Sequence, residues 1–245
     1  DKDKDLKMWN KNKIPGSLLP LALCLSMYAF SQASSDTDFK AVSQSILNNP
    51  DPQDWLMWRG GYENWGYSSL TEINRENVDR LRLAWSWEFA PAAPGSNGMQ
   101  IEPTVYDGVI YIRHSNEKYS AHDAATGDLI WEYSRALASE VASYETRLTV
   151  HRGRGVFIYE DKLISHATDG MLFALDPRDG TLIWEVAMQD FRSGQQPSGA
   201  PVAFGGSLVV PYNCTAWTAP DPCHLSAYST CLLYTSPSPR DRTRS

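Results

Sequence analysis

The chain says nearly the same thing twice at a fixed distance. Residues 121–133, AHDAATGDLIWEY, return as ALDPRDGTLIWEV at 174–186, so that Ala121 answers to Ala174 and Trp131 to Trp184, 53 residues on. The register runs backwards without a gap and pairs VYDGVIYI (105–112) with IYEDKLIS (158–165). Each unit reads as a strand, a polar turn (HSNE or ATDG), a second strand, a second turn and a third strand carrying the tryptophan. A fourth strand is expected from the linking segment. Asp123 and Asp176 suit the capping of the second turn, and Gly127 and Gly180 suit its positive-φ position. Self-similarity of this period, built from short strands, is the signature of propeller blades. Two unrelated hairpins would not keep register for so long.

The repeat also accounts for its tryptophans. A blade buries its apolar face against the next one, and a large flat ring between blades fills that space with little loss of conformational freedom. Trp131 and Trp184 are therefore expected as wedges, with Ala121 and Ala174 as the small residues beside them. A third unit opens at VAFGGSLVVPY (202–212) and resumes at HLSAYS (224–229), where an acid, a Thr-Gly turn and a tryptophan should follow. Instead the text becomes STCLLYTSPSPRDRTRS. The fold expected is all-β, a partial propeller of about three blades over residues 34–229, too few to close a ring, and hence the N-terminal portion of a larger protein. Residues 230–245 read either as a basic, disordered tail or as non-native translated adapter sequence, and the second reading fits the interrupted repeat.

The other end has a different character. Lys7, Lys11 and Lys13 precede an apolar run from Ile14 to Phe30 that ends in Ser31-Gln32-Ala33, the layout of a secretory signal cut after Ala33. Residues 1–33 are thus expected to be upstream residues followed by this signal, with Met8 as the start. Pro15, Gly16 and Pro20 interrupt the run and argue against a membrane anchor. Cys24 follows Leu23 rather than a small residue, which argues against a lipoprotein. Export to a periplasm permits disulfides. With Cys24 in the signal and Cys231 in the tail, Cys214 and Cys223 remain, as a staple across the loop between them or as two free thiols. A net charge of −7 gives no support for nucleic-acid binding.

The A-x-D-x-x-T-G-x-x-x-W run at 121–131 resembles the tryptophan-docking motif of the pyrroloquinoline-quinone (PQQ)-dependent alcohol dehydrogenases, the methanol- and ethanol-oxidising quinoproteins. The copy at 174–184 keeps Ala, Asp, Gly and Trp but has Asp179 where Thr is usual. The lead-in WRGGYENWGYSSLTEINRENVDRLRLAWSWEF (58–89) is similar to that family's own, and the two together cover nearly all of residues 55–229. The resemblance implies an eight-bladed propeller with PQQ near the axis and a calcium or lanthanide ion beside it. It further implies oxidation of a small alcohol by hydride transfer to the quinone, the metal acting as Lewis acid. A cytochrome c-type protein would take the electrons, and no membrane span would remain after signal cleavage.

Site residues carry over sparingly. Arg154 falls where the family places an arginine that meets the quinone, and its planar fork of donors suits carboxylate or carbonyl oxygens; Arg152 competes for the role. Gln100 stands at a position usually held by Glu, and Ser198 at a Thr before Ala-Pro. The resemblance pairs Cys214 with Cys223, as in a branch that lacks the adjacent-cysteine ring. Thr215 stands where a metal-binding Glu would be, so the metal ligands are open. The catalytic aspartate and the other ligands would lie beyond these residues, so no catalytic residue is expected here and the chain alone should be inactive. His114, His122, His151, His166 and His224 show no metal-ligand spacing. A non-catalytic propeller scaffold of the cell envelope is the alternative reading.

Overall fold

The computed structural model describes residues 39–89, 101–114, 117–137, 140–141, 155–193, 196–197, 199–213 and 225–230. All of them belong to the second of two compact units, Thr37–Ser245. The expected signal segment, the tail beyond Thr230 and the positions Gln100, Arg154, Ser198, Cys214, Thr215 and Cys223 lie outside the described residues.

Three four-stranded antiparallel sheets follow one another along the chain. The first is a meander of β1 (Thr104–Tyr106), β2 (Val109–Arg113), β3 (Lys118–Asp123) and β4 (Leu129–Ser134), in that spatial order. The second repeats it with β5 (Phe157–Tyr159), β6 (Lys162–His166), β7 (Met171–Leu175) and β8 (Leu182–Ala187). The third has β10 (Val202–Phe204), β11 (Ser207–Asn213) and β12 (Leu225–Ser229), with β9 (Gln196–Pro197) pairing on β11. These are blades of a β-propeller.

The fourth strand of each blade has a different origin from the one the sequence pattern implied. VYDGVIYI is two strands, not one: Asp107 and Gly108 form a two-residue turn, with φ of 48° and 75°, that pairs Tyr106 with Val109. Positive φ at both central residues matches the right-handed twist of the flanking strands. Gly205 and Gly206 do the same in the third blade, at 57° and 78°.

Within each blade Ala121 lies directly opposite Trp131, and Ala174 opposite Trp184. Both alanines are fully buried. The indole of Trp131 reaches into the second blade, where Nε1 donates to the Pro177 carbonyl at 2.9 Å. Its ring lies so close to Gly180 that a Cβ there would sit 2.6 Å from Cε3. Gly180 holds φ of 75°, and the Asp176 carboxylate accepts from Arg178 N at 2.9 Å to shape the same turn. In the first blade Asp123 accepts from Ala125 N and Thr126 N at 2.9 and 2.8 Å. Asp179, in place of Thr, still does the work of Thr126. Each side chain accepts from the N–H two residues on, at 2.8 Å for Asp179 and 3.2 Å for Thr126.

Residues 39–62 lace the blades together. Val42 exchanges backbone hydrogen bonds with Glu160 of the second blade, and Trp55 with Val105 of the first. The Tyr62 hydroxyl donates to the Ala203 carbonyl of the third. A short helix, α1 (Gln44–Asn48), is capped by Ser43 and brings Gln44 to both Tyr62 OH and Gly205 N. Buried side chains from this strap and the blades form one core. Among the described residues no helix is long and apolar enough to cross a membrane.

Gly180 and Gly108 offer a controlled comparison, because both hold φ of 75° but only Gly180 has a ring against it. Gly108→Ala should cost about 1 kcal/mol, the penalty of a left-handed alanine. Gly180→Ala should cost more than about 2 kcal/mol, since the ring must also be displaced. Urea unfolding of the two variants measures the difference.

Candidate functional site

The inner strands of the three blades begin side by side. Pro103 and Thr104 lead into β1, Val156 and Phe157 into β5, and Ala200 and Val202 into β10. The Thr104 hydroxyl donates to the Val156 carbonyl at 2.8 Å and ties the first two starts together. Gly155, at φ of 142°, lets the backbone close up further, since a Cβ there would stand 3.0 Å from the Glu102 carbonyl oxygen. Between these starts and residues Met57 and Trp58 of the strap lies a cavity of about 310 Å³. Its wall is largely apolar, and Glu102 is its one ionisable side chain among the described residues. The volume lies at the lower end of the range for small-molecule sites.

Glu102 fastens the strap to the cavity wall. Its Oε1 accepts from Trp55 Nε1 at 3.0 Å and from Arg59 N at 2.9 Å. Its Oε2 is buried and has no hydrogen-bond partner among the described residues. Arg59 itself takes φ of 55°, a left-handed conformation rare outside glycine.

A buried polar chain crosses the blade interfaces behind the cavity. Arg113 donates to Glu117 Oε1 at 3.0 Å and approaches His166 Nδ1 at 3.2 Å. Glu117 also accepts from Thr168 N at 3.0 Å, from the Thr168 hydroxyl, and from Tyr119 OH at 2.9 Å. His166 Nε2 meets the Gly199 carbonyl at 2.6 Å. A carbonyl only accepts, so that nitrogen carries the proton and Nδ1 is left to accept from Arg113. One chain of bonds thus joins all three blades. Burial by itself would raise the Glu117 carboxyl, but Arg113, Thr168 and Tyr119 outweigh it and hold the group below the usual carboxylate range. Burial, reinforced by Arg113, pushes His166 down to about 3.

A second chain lies within the first blade. His114 Nε2 bonds Ser120 Oγ at 2.6 Å, Ser120 Oγ bonds His122 Nε2 at 2.9 Å, and His122 Nδ1 reaches the Gly127 carbonyl at 3.3 Å. Trp87 and Phe89 cover the two rings at centroid distances of 4.0 and 4.9 Å. Burial pushes His114 down to about 4. Neither histidine faces the cavity.

The positions proposed for cofactor contact bracket this cavity in sequence. Glu102 comes two residues after Gln100, Val156 two after Arg154, and Gly199 one after Ser198. The three positions themselves lie outside the described residues. Sequence reasoning missed Met57, Trp58 and Glu102, because nothing in their spacing marks a site. It also read Glu117 as part of a polar turn, whereas the side chain is only 1% exposed. Trp85 was missed as a wedge. Its Nε1 donates to the Ala124 carbonyl at 3.1 Å, and its ring lies over Gly127 as Trp131 lies over Gly180. The Leu-x-Trp run at 83–85 was the available signal, hidden because it precedes Trp131 by 46 residues and not 53.

The wedges, the blade order and the meeting of the inner strand starts define a β-propeller. Residues 55–200 match the glucose/ethanol/alcohol dehydrogenase β-propeller domain of PQQ enzymes, and the chain belongs to that family. It is 32% identical over 200 residues to the dehydrogenase subunit of a quinone alcohol dehydrogenase from Gluconobacter oxydans, covering 78% of this chain and 26% of that protein. Identity to a quinohemoprotein alcohol dehydrogenase from Comamonas testosteroni is 31%, over 82% of this chain and 29% of the relative. The solved quinohemoprotein alcohol dehydrogenase ADHIIG of Pseudomonas putida HK5 superposes with a TM-score of 0.66 at 27% identity, over 76% of this chain and 26% of that one. The chain spans about a quarter of the length of the curated relatives it matches.

The buried network should make the blades acid-sensitive. His114 and His166 are held below their ordinary 6.5, so the unfolded chain binds more protons below that pH. Their contribution to stability is complete above about pH 6.5 and is lost as pH falls through 4 toward 3, and Glu117 adds to the loss in the acid range. Thermal unfolding should therefore show a lower Tm at pH 5 than at pH 7.5. Separately, Glu117→Gln strands a buried Arg113 and should cost about 3–5 kcal/mol at pH 7.5, measured by urea unfolding. A cost below about 1 kcal/mol would show that the charge pair is not what holds the interface.

Proposed function

We propose that these blades form part of the cofactor pocket of an exported quinoprotein dehydrogenase that oxidises an alcohol. The observation that carries the reading is the cavity at the inner strand starts of three successive blades, in a chain of the PQQ propeller family. Its apolar wall suits a planar, conjugated ring system, and the carboxylates that such a cofactor carries call for a cation, which Arg154 would supply. Arg154 would pair with its carboxylate or carbonyl oxygens through a bidentate fork, and Gln100 and Ser198 would hydrogen-bond it. When bound, PQQ supplies the two-electron acceptor for the alcohol's hydride, with calcium or a lanthanide as Lewis acid.

This chain's own residues bind, orient and exclude water. Met57, Val156, Phe157 and Val202 keep the pocket dry, which strengthens every polar contact made inside it. The catalytic base and the metal ligands belong to other parts of the protein. The matched relatives are named as alcohol dehydrogenases, which favours an alcohol as substrate here. Residues 1–33 support secretion to the periplasm, where a cytochrome c-type acceptor would collect the electrons.

The test is reconstitution. The whole protein that carries this sequence, supplied with PQQ and calcium or a lanthanide salt, should reduce an artificial dye in the presence of at least one small alcohol. The 245 residues alone should not, because three blades cannot enclose the cofactor. An absence of both PQQ binding and dye reduction in the whole protein would overturn the reading in favour of an envelope scaffold.

A further inference from the structure

Residues 81–89 are seated on the first blade by side chains alone among the described residues, where the segment joins no sheet. The Trp85 ring lies against Gly127, and its Nε1 donates to the Ala124 carbonyl at 3.1 Å. Trp87 stands over His122 and His114 at centroid distances of 4.0 and 5.5 Å, and Phe89 over His114 at 4.9 Å. In the register that places Trp85 on Trp131, Trp87 falls on Tyr133, which packs in the same way against Phe173 of the second blade at 6.3 Å. The two contacts are one joint built twice from different materials. Where the second blade offers Ala167, Phe173 and Leu175, the first offers His114, Ser120 and His122, each 53 residues earlier and each buried.

The protons of that polar set have fixed places. The Gly127 carbonyl only accepts, so His122 Nδ1 carries a proton and His122 Nε2 accepts from the Ser120 hydroxyl. Ser120 has then given its one proton and takes its other bond from His114 Nε2–H. The chain ends on the carbonyl of the same glycine that carries the Trp85 ring. Every link is satisfied while both rings are neutral. A further proton on His122 Nε2 would set two N–H donors against the Ser120 oxygen and turn its hydroxyl away. One on His114 would put a charge beneath Trp87 and Phe89. Burial, the largest influence, disfavours that charge and holds His114 down to about 4. Glu132 favours it, while His122 and Lys118 oppose it, and Lys118 is bonded to Glu132 at 3.0 Å. The charged side chains of the segment itself, Arg82 and Glu88, are exposed.

We propose that the seat of residues 81–89 is an acid-sensitive seam, in which protonation of the His114–Ser120–His122 chain releases Trp85, Trp87 and Phe89 while the blades themselves stay folded. Docking buries both rings, and release returns them to water, where an imidazole binds a proton near pH 6.5. The His114 contribution to the seat is therefore complete above about pH 6.5 and is lost as pH falls through 4. The joint between the first and second blades has apolar side chains at the matching positions, and the Arg113, Glu117 and Thr168 bonds besides. The segment is thus the first part to leave, a local opening rather than a global one. The inference stands independently of the cofactor reading.

The experiment is hydroxyl-radical footprinting of the whole protein that carries this sequence, with the oxidation of individual side chains read by mass spectrometry. Between pH 7 and pH 4.5 the oxidation of Trp87 and Phe89 should rise at least about threefold, while Tyr119 and Phe173, in the joint between the blades, stay protected. The double variant His114→Ala, His122→Leu carries the side chains that the second blade has at these places, and its Trp87 and Phe89 should stay covered at both pH values. A second double variant, His114→Gln with His122→Gln, keeps groups that can hydrogen-bond Ser120 but cannot titrate, and should behave alike. If the first variant does not fold, the second decides. A rise in either folded variant as large as in the parent overturns the proposal, because the release then does not pass through the histidines. A parent in which Trp87 and Phe89 stay covered at pH 4.5, or are uncovered only together with Tyr119 and Phe173, overturns it as well.

Discussion

Tryptophan rings lying against left-handed glycines set the spacing of the rest of the structure. Trp131 on Gly180 and Trp85 on Gly127 leave no room for a Cβ, so the contact demands glycine twice, once for sterics and once for φ. The indole N–H then finds a carbonyl one residue past the capping aspartate, Pro177 in one case and Ala124 in the other. Distance, angle and hydrogen bond are fixed together. Once neighbouring blades are locked in this way, the starts of their inner strands come together, and the cavity between Thr104, Phe157 and Val202 is the outcome.

The polar chain from Arg113 to Gly199 plays a complementary part. An ion pair this deeply buried is weak as a source of net stability, because both partners lose their water. Its members are fully engaged, however: Glu117 alone accepts from Arg113, Thr168 and Tyr119. A satisfied network of that kind permits one arrangement of three blades and penalises any slip. The apolar wedges supply adhesion and the charged chain supplies registration.

The fold was largely legible because its repeat leaves a trace that chance does not. Two aspartate-capped glycine turns and two tryptophans at one period gave the blades and the wedge residues. The fourth strand was misassigned because β1 and β5 are only three residues long, so the two-residue turns at Asp107-Gly108 and Glu160-Asp161 read as polar positions inside one longer strand. Strands buried on both faces lose the alternation that marks a strand's limits. The site was less legible. Trp58 and Glu102 are brought to the cavity by a strap that makes its contacts 43 or more residues away, and no local pattern announces such a pairing. Glu117 and His166 likewise read as ordinary turn and strand residues until the fold places them beside Arg113.

Trp184 stands in the same place on the second blade as Trp131 on the first, with its indole N–H buried and no acceptor for it among the described residues. A blade built this way is finished by its successor and never by itself. Each outer tryptophan gives its indole N–H to the aspartate-glycine turn that follows it in the chain, as Trp131 does to Pro177. The contact therefore has a direction: each blade hands a donor to the next, and that turn removes the roughly 1–3 kcal/mol that burying the N–H unmet would cost.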